Sequence, residues 1–251
     1  MTRQPATNET VVRRSAKRVA DCDASLPREL ADALFDRPEA LVEAGELLRV
    51  NGARRTVLLQ WGEARFVLKH YVEPTRRHAL KQLVQRSRAR SSWLMSHRLA
   101  DAEIATPRPV ACIENRWGGL QRDSFLMYPY VEGRTLGECL KSDDLPVASL
   151  RALWHQLVKL WDRLKELRVS LADTNVGNFI VTPDCRLWVI DLDKSRFHRL
   201  HYVAHLKQRR GWQQVLRSAV RHCTNPSAAA IFGGTGGAEA SAFWRILRRA
   251  A

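Results

Sequence analysis

Asp173, Asn178 and Asp191 carry the chemistry most legible in this chain. The stretch runs Asp173-Thr-Asn-Val-Gly-Asn178, then Phe179-Ile-Val181, then Trp188-Val-Ile-Asp191-Leu-Asp193. An Asp precedes an Asn by five positions, and two short apolar runs then lead to a second Asp. Phosphoryl transfer from ATP needs such groups in this order. One carboxylate orients and deprotonates the attacking hydroxyl. An amide oxygen and a second carboxylate hold the magnesium that bridges the phosphates. The competing reading is a β-hairpin with polar ends. Thr182-Pro-Asp-Cys185 is ordinary turn chemistry, and Asp or Asn at loop ends usually caps. The choice between the two rests on what lies upstream.

Ala64-Arg-Phe-Val-Leu-Lys69-His-Tyr71 alternates as a strand, with Phe66 and Leu68 on one face and Val67 and Lys69 on the other. A lysine in such a strand is commonly a solvated edge residue. In a kinase it pairs with the α/β-phosphates. Before it, Leu47–Val50 and Thr56–Leu59 read as a hairpin around Asn51-Gly52. Asn51 and Gly52 are the candidates for a phosphate-facing turn. The glycine-rich G-x-G-x-x-G loop is absent, so any phosphate contact there rests on few backbone amides and on Arg54 or Arg55. The Asp173/Asn178 spacing matches the second half of the kinase catalytic loop, with Asp191 in the place of the metal-binding Asp.

Further segments carry a family resemblance. They are Ser91-Ser-Trp93 with His97-Arg-Leu99, Ile104-Ala-Thr-Pro107-Arg-Pro-Val110, Phe125-Leu-Met-Tyr128-Pro-Tyr-Val-Glu-Gly133, and Val189-Ile-Asp191-Leu-Asp193-Lys-Ser-Arg-Phe197. The chain resembles the bacterial lipopolysaccharide kinases, the Kdo and heptose kinases of the WaaP type, over roughly residues 45 to 220. The resemblance implies an α+β, protein-kinase-like two-lobed fold, with a β-rich N-lobe and a helical C-lobe. It implies ATP- and Mg-dependent transfer to a heptose or Kdo hydroxyl of the lipopolysaccharide inner core, or of another anionic glycolipid. The place would be the cytoplasmic face of the inner membrane. On that reading Asp173 is the base, Asn178 and Asp191 bind metal, and Lys69, Asn51 and Gly52 meet the nucleotide.

Three positions depart from the family pattern. Leu171-Ala-Asp173 stands where most members have His-Gly-Asp or His-Arg-Asp. Ser92 stands where a Glu commonly pairs with the strand lysine. The glycine-rich loop is degenerate. These departures keep two alternatives open: a catalytically impaired pseudokinase, and a phosphotransferase for an aminoglycoside-like or other small acceptor.

The elements that must position these groups follow from pattern. Residues 1–25 read as a disordered basic arm, 26–130 as the N-lobe and 131–251 as the C-lobe. A short helix is expected after Pro27, strands over about 45–72, and a helix from Thr75 to about Ala102. Val110–Ile113 and Ser124–Tyr128 are expected as strands joined at Gly118-Gly119, with Tyr128–Gly133 as a hinge. Leu150, Leu153, Trp154, Leu157, Trp161, Leu164 and Leu167 recur at three- and four-residue steps, the stripe of a core-facing helix.

A chain of 251 residues with 45% hydrophobic content buries a substantial core, and its net charge of +15 calls for an anionic partner. Two basic groups stand out. Arg76, Arg77, Lys81, Arg86, Arg88, Arg90 and Arg98 lie in a stretch without acids. So do Lys194, Arg196, Arg199, Lys207, Arg209, Arg210, Arg217 and Arg221. Both groups are expected to face an anionic membrane and its lipid-linked substrate. Trp212 and Trp244 are read as core or as interfacial anchors. No run is long enough to span a bilayer, and nucleic acid is not an expected partner, since no RNA- or DNA-binding signature is present. Five scattered cysteines suggest neither disulfides nor a metal site.

Overall fold

The structure is a computed structural model that describes residues 9–52, 54–72, 86–117 and 120–232. The chain divides into two compact units. One holds the residues up to Ala100 together with Pro107–Tyr130, and the other holds Asp101–Thr106 and the chain from Val131 on.

The first unit is built on a seven-stranded antiparallel sheet. Its strands are β1 (Thr10–Arg14), β2 (Arg18–Asp23), β3 (Glu46–Asn51), β4 (Arg54–Trp61), β5 (Ala64–Tyr71), β6 (Ala111–Trp117) and β7 (Leu120–Pro129). Their spatial order is β1-β2-β6-β7-β5-β4-β3. Because successive strand residues face opposite sides, β5 serves two cores. Phe66 and Leu68 pack with Ala20, Cys22, Val57, Ile113 and Phe125 against helices α1 (Arg28–Asp36) and α2 (Pro38–Ala44). Tyr71, on the opposite face, joins Ala89 and Trp93 of helix α3 (Arg88–Asp101). Helix α1 follows Pro27 and buries Leu30 and Leu34, one turn apart.

The arm expected over residues 1–25 does not hold from residue 10 onward. β1 and β2 extend the sheet, and β2 pairs with β6 from Arg18↔Asn115 to Cys22↔Ala111. The segment looked too charged to pack, but its charges find partners far along the chain. Arg18 donates to the Asn115 side chain at 2.6 Å and to Glu39 at 3.2 Å, while Asp21 pairs with Arg90. Ala20 and Cys22, facing inward between them, are buried. The expected helix from Thr75 falls partly on residues 73–85, outside the described residues, as does the turn at Gly118-Gly119.

The second unit is mostly helical. It contains α4 (Leu136–Lys141), α5 (Val147–Glu166), α6 (His201–His222) and α7 (Pro226–Phe232). Five short strands accompany them: β8 (Arg134–Thr135), β9 (Val169–Ser170), β10 (Phe179–Val181), β11 (Leu187–Val189) and β12 (Arg196–Phe197). β11, β10 and β8 form one small sheet, and β12 pairs with β9. Helix α4 opens on a capping box, with the Thr135 hydroxyl accepting from the Glu138 N–H and the Glu138 carboxylate accepting from the Thr135 N–H. The expected stripe on α5 is the core face: Leu150, Leu153, Leu157, Trp161 and Leu164 are buried. Trp212 of α6 is core as well, with its ring centroid 5.0 Å from Trp161. Gln208, buried on the same helix, donates to the carbonyls of Leu164 and Val169, both at 2.8 Å, and so ties the end of α5 to β9.

Candidate active site

The loop after β9 carries Asp173. The chain then makes a 3₁₀ turn over Val176–Asn178 and enters β10, which pairs with β11 through Phe179↔Val189. Asp191 follows β11. The Ile190 N–H donates to the Asn178 carbonyl at 2.9 Å, and the Asn178 amide donates to the Asp173 carbonyl at 2.9 Å. Asp173, Asn178 and the approach to Asp191 are therefore stitched together at the open end of one hairpin. The polar-ended hairpin is real, and its open end carries Asp173, Asn178 and the segment that leads to Asp191.

The details suit the assigned chemistry. Asn178 is buried, and its NH2 is committed to the backbone, which leaves its carbonyl oxygen as the free acceptor face. Asp173 is exposed, with one carboxylate oxygen accepting from the Asn175 amide at 2.8 Å. Asp191 sits at φ +62°, in the left-handed region. For a residue with a side chain this costs on the order of 1–2 kcal/mol. Such conformations persist where surrounding structure imposes them, often at functional sites.

Leu171 cannot supply the brace that a histidine would, and the loop is braced from α6 instead. The buried Thr174 hydroxyl donates to the Gly211 carbonyl at 2.8 Å, and the Ser218 hydroxyl accepts from the Val176 N–H at 3.2 Å. A Cβ at position 211 would sit in van der Waals contact with the Thr174 methyl at 3.4 Å and Trp161 at 3.5 Å, so helix and loop are closely packed there. The Asn175 side chain also accepts from the Gly177 N–H at 2.8 Å. Sequence reasoning missed Thr174, Asn175, Gly211 and Ser218. Asn175-Val-Gly177 carried an Asx-turn signal, but nothing local marked the α6 partners.

The first unit holds the other candidates. Lys69 is buried, at 5% exposure, with its ammonium 5.5 Å from the Tyr128 ring centroid. It lies on the strand face shared with Tyr71, toward α3, and not on a solvated edge. Ser92 is buried on α3. That helix is fastened to the sheet by Arg90, which pairs with Asp21 and with the buried Glu114 at 3.0 Å. Burial opposes the Arg90 charge, but the Asp21 hydrogen bond and the fields of its neighbours outweigh it, so the guanidinium is held more firmly protonated than usual. Asn51 and Gly52 are exposed at the β3–β4 turn, where Gly52 takes φ +56°.

The expectation that Arg76 to Arg98 form a single anion-facing field fails at Arg90, whose acids come from β2 and β6. Arg76, Arg77, Lys81, Trp244, Arg245, Arg248 and Arg249 lie outside the described residues.

A β-rich unit followed by a helical unit with this loop-and-hairpin site defines the class: a phosphotransferase of protein-kinase-like, α+β architecture. The chain matches the lipopolysaccharide kinase (Kdo/WaaP) family over residues 39–229, and it belongs to that family. It is 24% identical over 168 residues to the 3-deoxy-D-manno-octulosonic acid kinase of Vibrio cholerae serotype O1, an overlap of 62% of this chain and 68% of that protein.

Proposed function

We propose that this chain transfers the γ-phosphoryl group of ATP to a hydroxyl of Kdo or heptose in the lipopolysaccharide inner core. The observation that carries the proposal is the hydrogen-bonded frame holding Asp173, Asn178 and the approach to Asp191 at one hairpin end. Asp173 takes the proton of the acceptor hydroxyl. The Asn178 carbonyl oxygen and the Asp191 carboxylate are hard oxygen donors, which suits magnesium, an ion that takes few protein ligands and fills its shell with phosphate and water. Bound there, the ion would draw charge from the phosphate oxygens. Lys69 neutralises the α/β-phosphates, with Asn51 and Gly52 contributing at the nucleotide. Rate acceleration comes from positioning and charge stabilisation without a covalent intermediate.

The Vibrio relative makes Kdo the first acceptor to test, with heptose beside it. No helix among the described residues is long and apolar enough to cross a membrane. We assign the protein to the cytoplasmic face of the inner membrane, attached peripherally through its excess positive charge.

The test is incubation with ATP, Mg²⁺ and purified core acceptors ending in Kdo or in heptose, with mass analysis of the products. The proposal expects one added phosphate on one of these acceptors. Asp173→Asn should slow transfer by about 10²–10⁴-fold while leaving ATP affinity nearly intact. Equal transfer by wild type and Asp173→Asn removes the base assignment. Transfer only to an aminoglycoside-type acceptor replaces the substrate.

A further inference from the structure

Beside the loop that carries Asp173 lies a cavity of about 820 Å³, contained entirely in the second unit. Its walls are the start of the loop (Ser170–Ala172), the segment from Lys194 to Leu200, and a stripe of α6 that includes Val203, Lys207, Arg210 and Gln214. The volume is within the range of small-molecule and cofactor sites. Lys194, Arg196, Arg199, Lys207 and Arg210 line it, and no Asp or Glu does. None of these five makes an ion pair with a described residue. Elsewhere on this unit Arg134, Arg163, Lys165 and Arg186 all have carboxylate partners between 2.7 and 3.1 Å.

The wall is built, not merely populated. β12 pairs with β9 through Arg196↔Ser170 and Phe197↔Val169. The His198 N–H donates to the Arg168 carbonyl at 2.9 Å, and Arg168 donates through its guanidinium to the Arg199 carbonyl at 3.2 Å. The His198 ring bonds the buried Ser170 hydroxyl at 2.7 Å. The cationic wall is thereby registered to a residue three positions before Asp173. His198 reports the field: desolvation first, then Lys207 and Arg196, hold its pKa below the ordinary value.

We propose that this cavity is the anion subsite for the acceptor. It would grip phosphate or carboxylate groups next to the hydroxyl that reacts at Asp173. The inference rests on the proposed function, because only an acceptor phosphorylated at Asp173 makes the neighbouring cavity an acceptor site. The shared chemistry is a sugar carrying fixed negative charge. A carboxylate would come from an acidic sugar itself, and a phosphate from the lipid-linked disaccharide beneath it. Unpaired guanidinium groups suit both, since each presents donors that match a planar or tetrahedral oxyanion.

The test is calorimetric binding, which needs no turnover. Wild type and the double variant Arg196→Gln/Arg210→Gln would be titrated with three probes: free Kdo, a phosphorylated lipid A disaccharide lacking Kdo, and uncharged glucose. ATP binding and circular dichroism would be measured on both proteins. The proposal expects wild type to bind at least one anionic probe and not glucose. The double variant should lose about tenfold or more of that affinity, with ATP binding and fold unchanged. A preference for free Kdo makes the carboxylate the source of the charge, and a preference for the disaccharide makes it the phosphate. Absence of anionic binding in wild type, or equal binding by the two proteins, overturns the subsite. Anion binding that depends on Arg196 and Arg210, together with no transfer to any core acceptor, keeps an anion site here and removes only its acceptor role and the proposed reaction.

Discussion

Two arginines from acid-free stretches of sequence meet opposite fates. Arg90 is surrounded in sequence by Arg86, Arg88 and Arg98, yet it folds into contact with Asp21 and Glu114. Arg196 stands among Lys194, Arg199, Lys207 and Arg210 and faces a cavity with no carboxylate in its lining. Linear charge patterning treats the two groups alike. What separates them is which distant segments the topology brings alongside. β2 and β6 bring acids to α3, whereas β9 brings Ser170 and a loop backbone to β12. A charge without compensating neighbours after folding is the one available to a ligand.

The largest expected effect breaks the paired half of this comparison. Arg90→Ala leaves Glu114, at 5% exposure, without its main partner. Removing one member of a buried pair costs about 3–5 kcal/mol. Denaturant unfolding should show that loss in the first unit. Arg116, half-exposed and already paired with Glu114 at 3.8 Å, offsets part of the loss, which places the expected cost at the lower end of that range. A loss below about 1 kcal/mol would mean that the cluster is solvated like an ordinary surface pair.

A smaller effect probes the brace beneath the loop that carries Asp173. Thr174→Val keeps the shape of a fully buried side chain but removes the hydroxyl that ties the loop to the Gly211 carbonyl, which keeps its own intrahelical donor in α6. Losing one such intramolecular hydrogen bond costs about 0.5–1.5 kcal/mol. Because the brace orients Asp173 without touching substrate, kcat should fall while KM for ATP is preserved. Unchanged kcat with reduced stability would make Thr174 purely structural.

The hydrogen-bonded frame from Asp173 to Asn178 and the α5 stripe were legible because their signals are local. Asp173 to Asn178 spans six residues, and an amphipathic helix repeats every turn. The β3–β4 hairpin was legible through Asn51-Gly52, a pair that takes positive φ readily. The β1–β2 pair was not, since Arg18 and Asp21 look like arm residues until Asn115, Glu39 and Arg90 are beside them. The replacement for the missing loop histidine was equally hidden. Thr174 and Gly211 are 37 positions apart and meet only once α6, packed on α5 through Trp212 and Trp161, lies alongside the loop.

Acid should divide paired from unpaired charges in another way. Burial pushes the Asp123 pKa up, but hydrogen bonds from His70 at 3.1 Å and Asn115 at 3.1 Å outweigh it, and the net shift is downward. A carboxyl with a depressed folded pKa contributes stability that is fully present above its unfolded pKa, near 4, and is lost as pH falls through the folded value. Unfolding followed from pH 6 downward should show this slope in wild type. Asp123→Asn should flatten it. An unchanged slope would assign the acid response to other carboxylates.

The smallest expected change closes the comparison from the unpaired side. Lys207 and Arg210 face the cavity with no ion-pair partner among the described residues, so folding gains no attraction from them. Their mutual repulsion acts against the compact state. Lys207→Ala and Arg210→Ala should therefore leave unfolding free energy within about 0.5 kcal/mol of wild type, the ordinary range for exposed positions. Any shift should be toward greater stability, most visibly at low salt, where charges repel over the longer Debye length. Thermal unfolding at low and high ionic strength measures both points. A loss approaching the Arg90→Ala value would show that these cations hold the fold together, and the contrast between the two basic groups would disappear. A neutral or favourable change, beside weakened anion binding, would mean that this surface keeps its charge at the expense of stability and for the sake of a ligand.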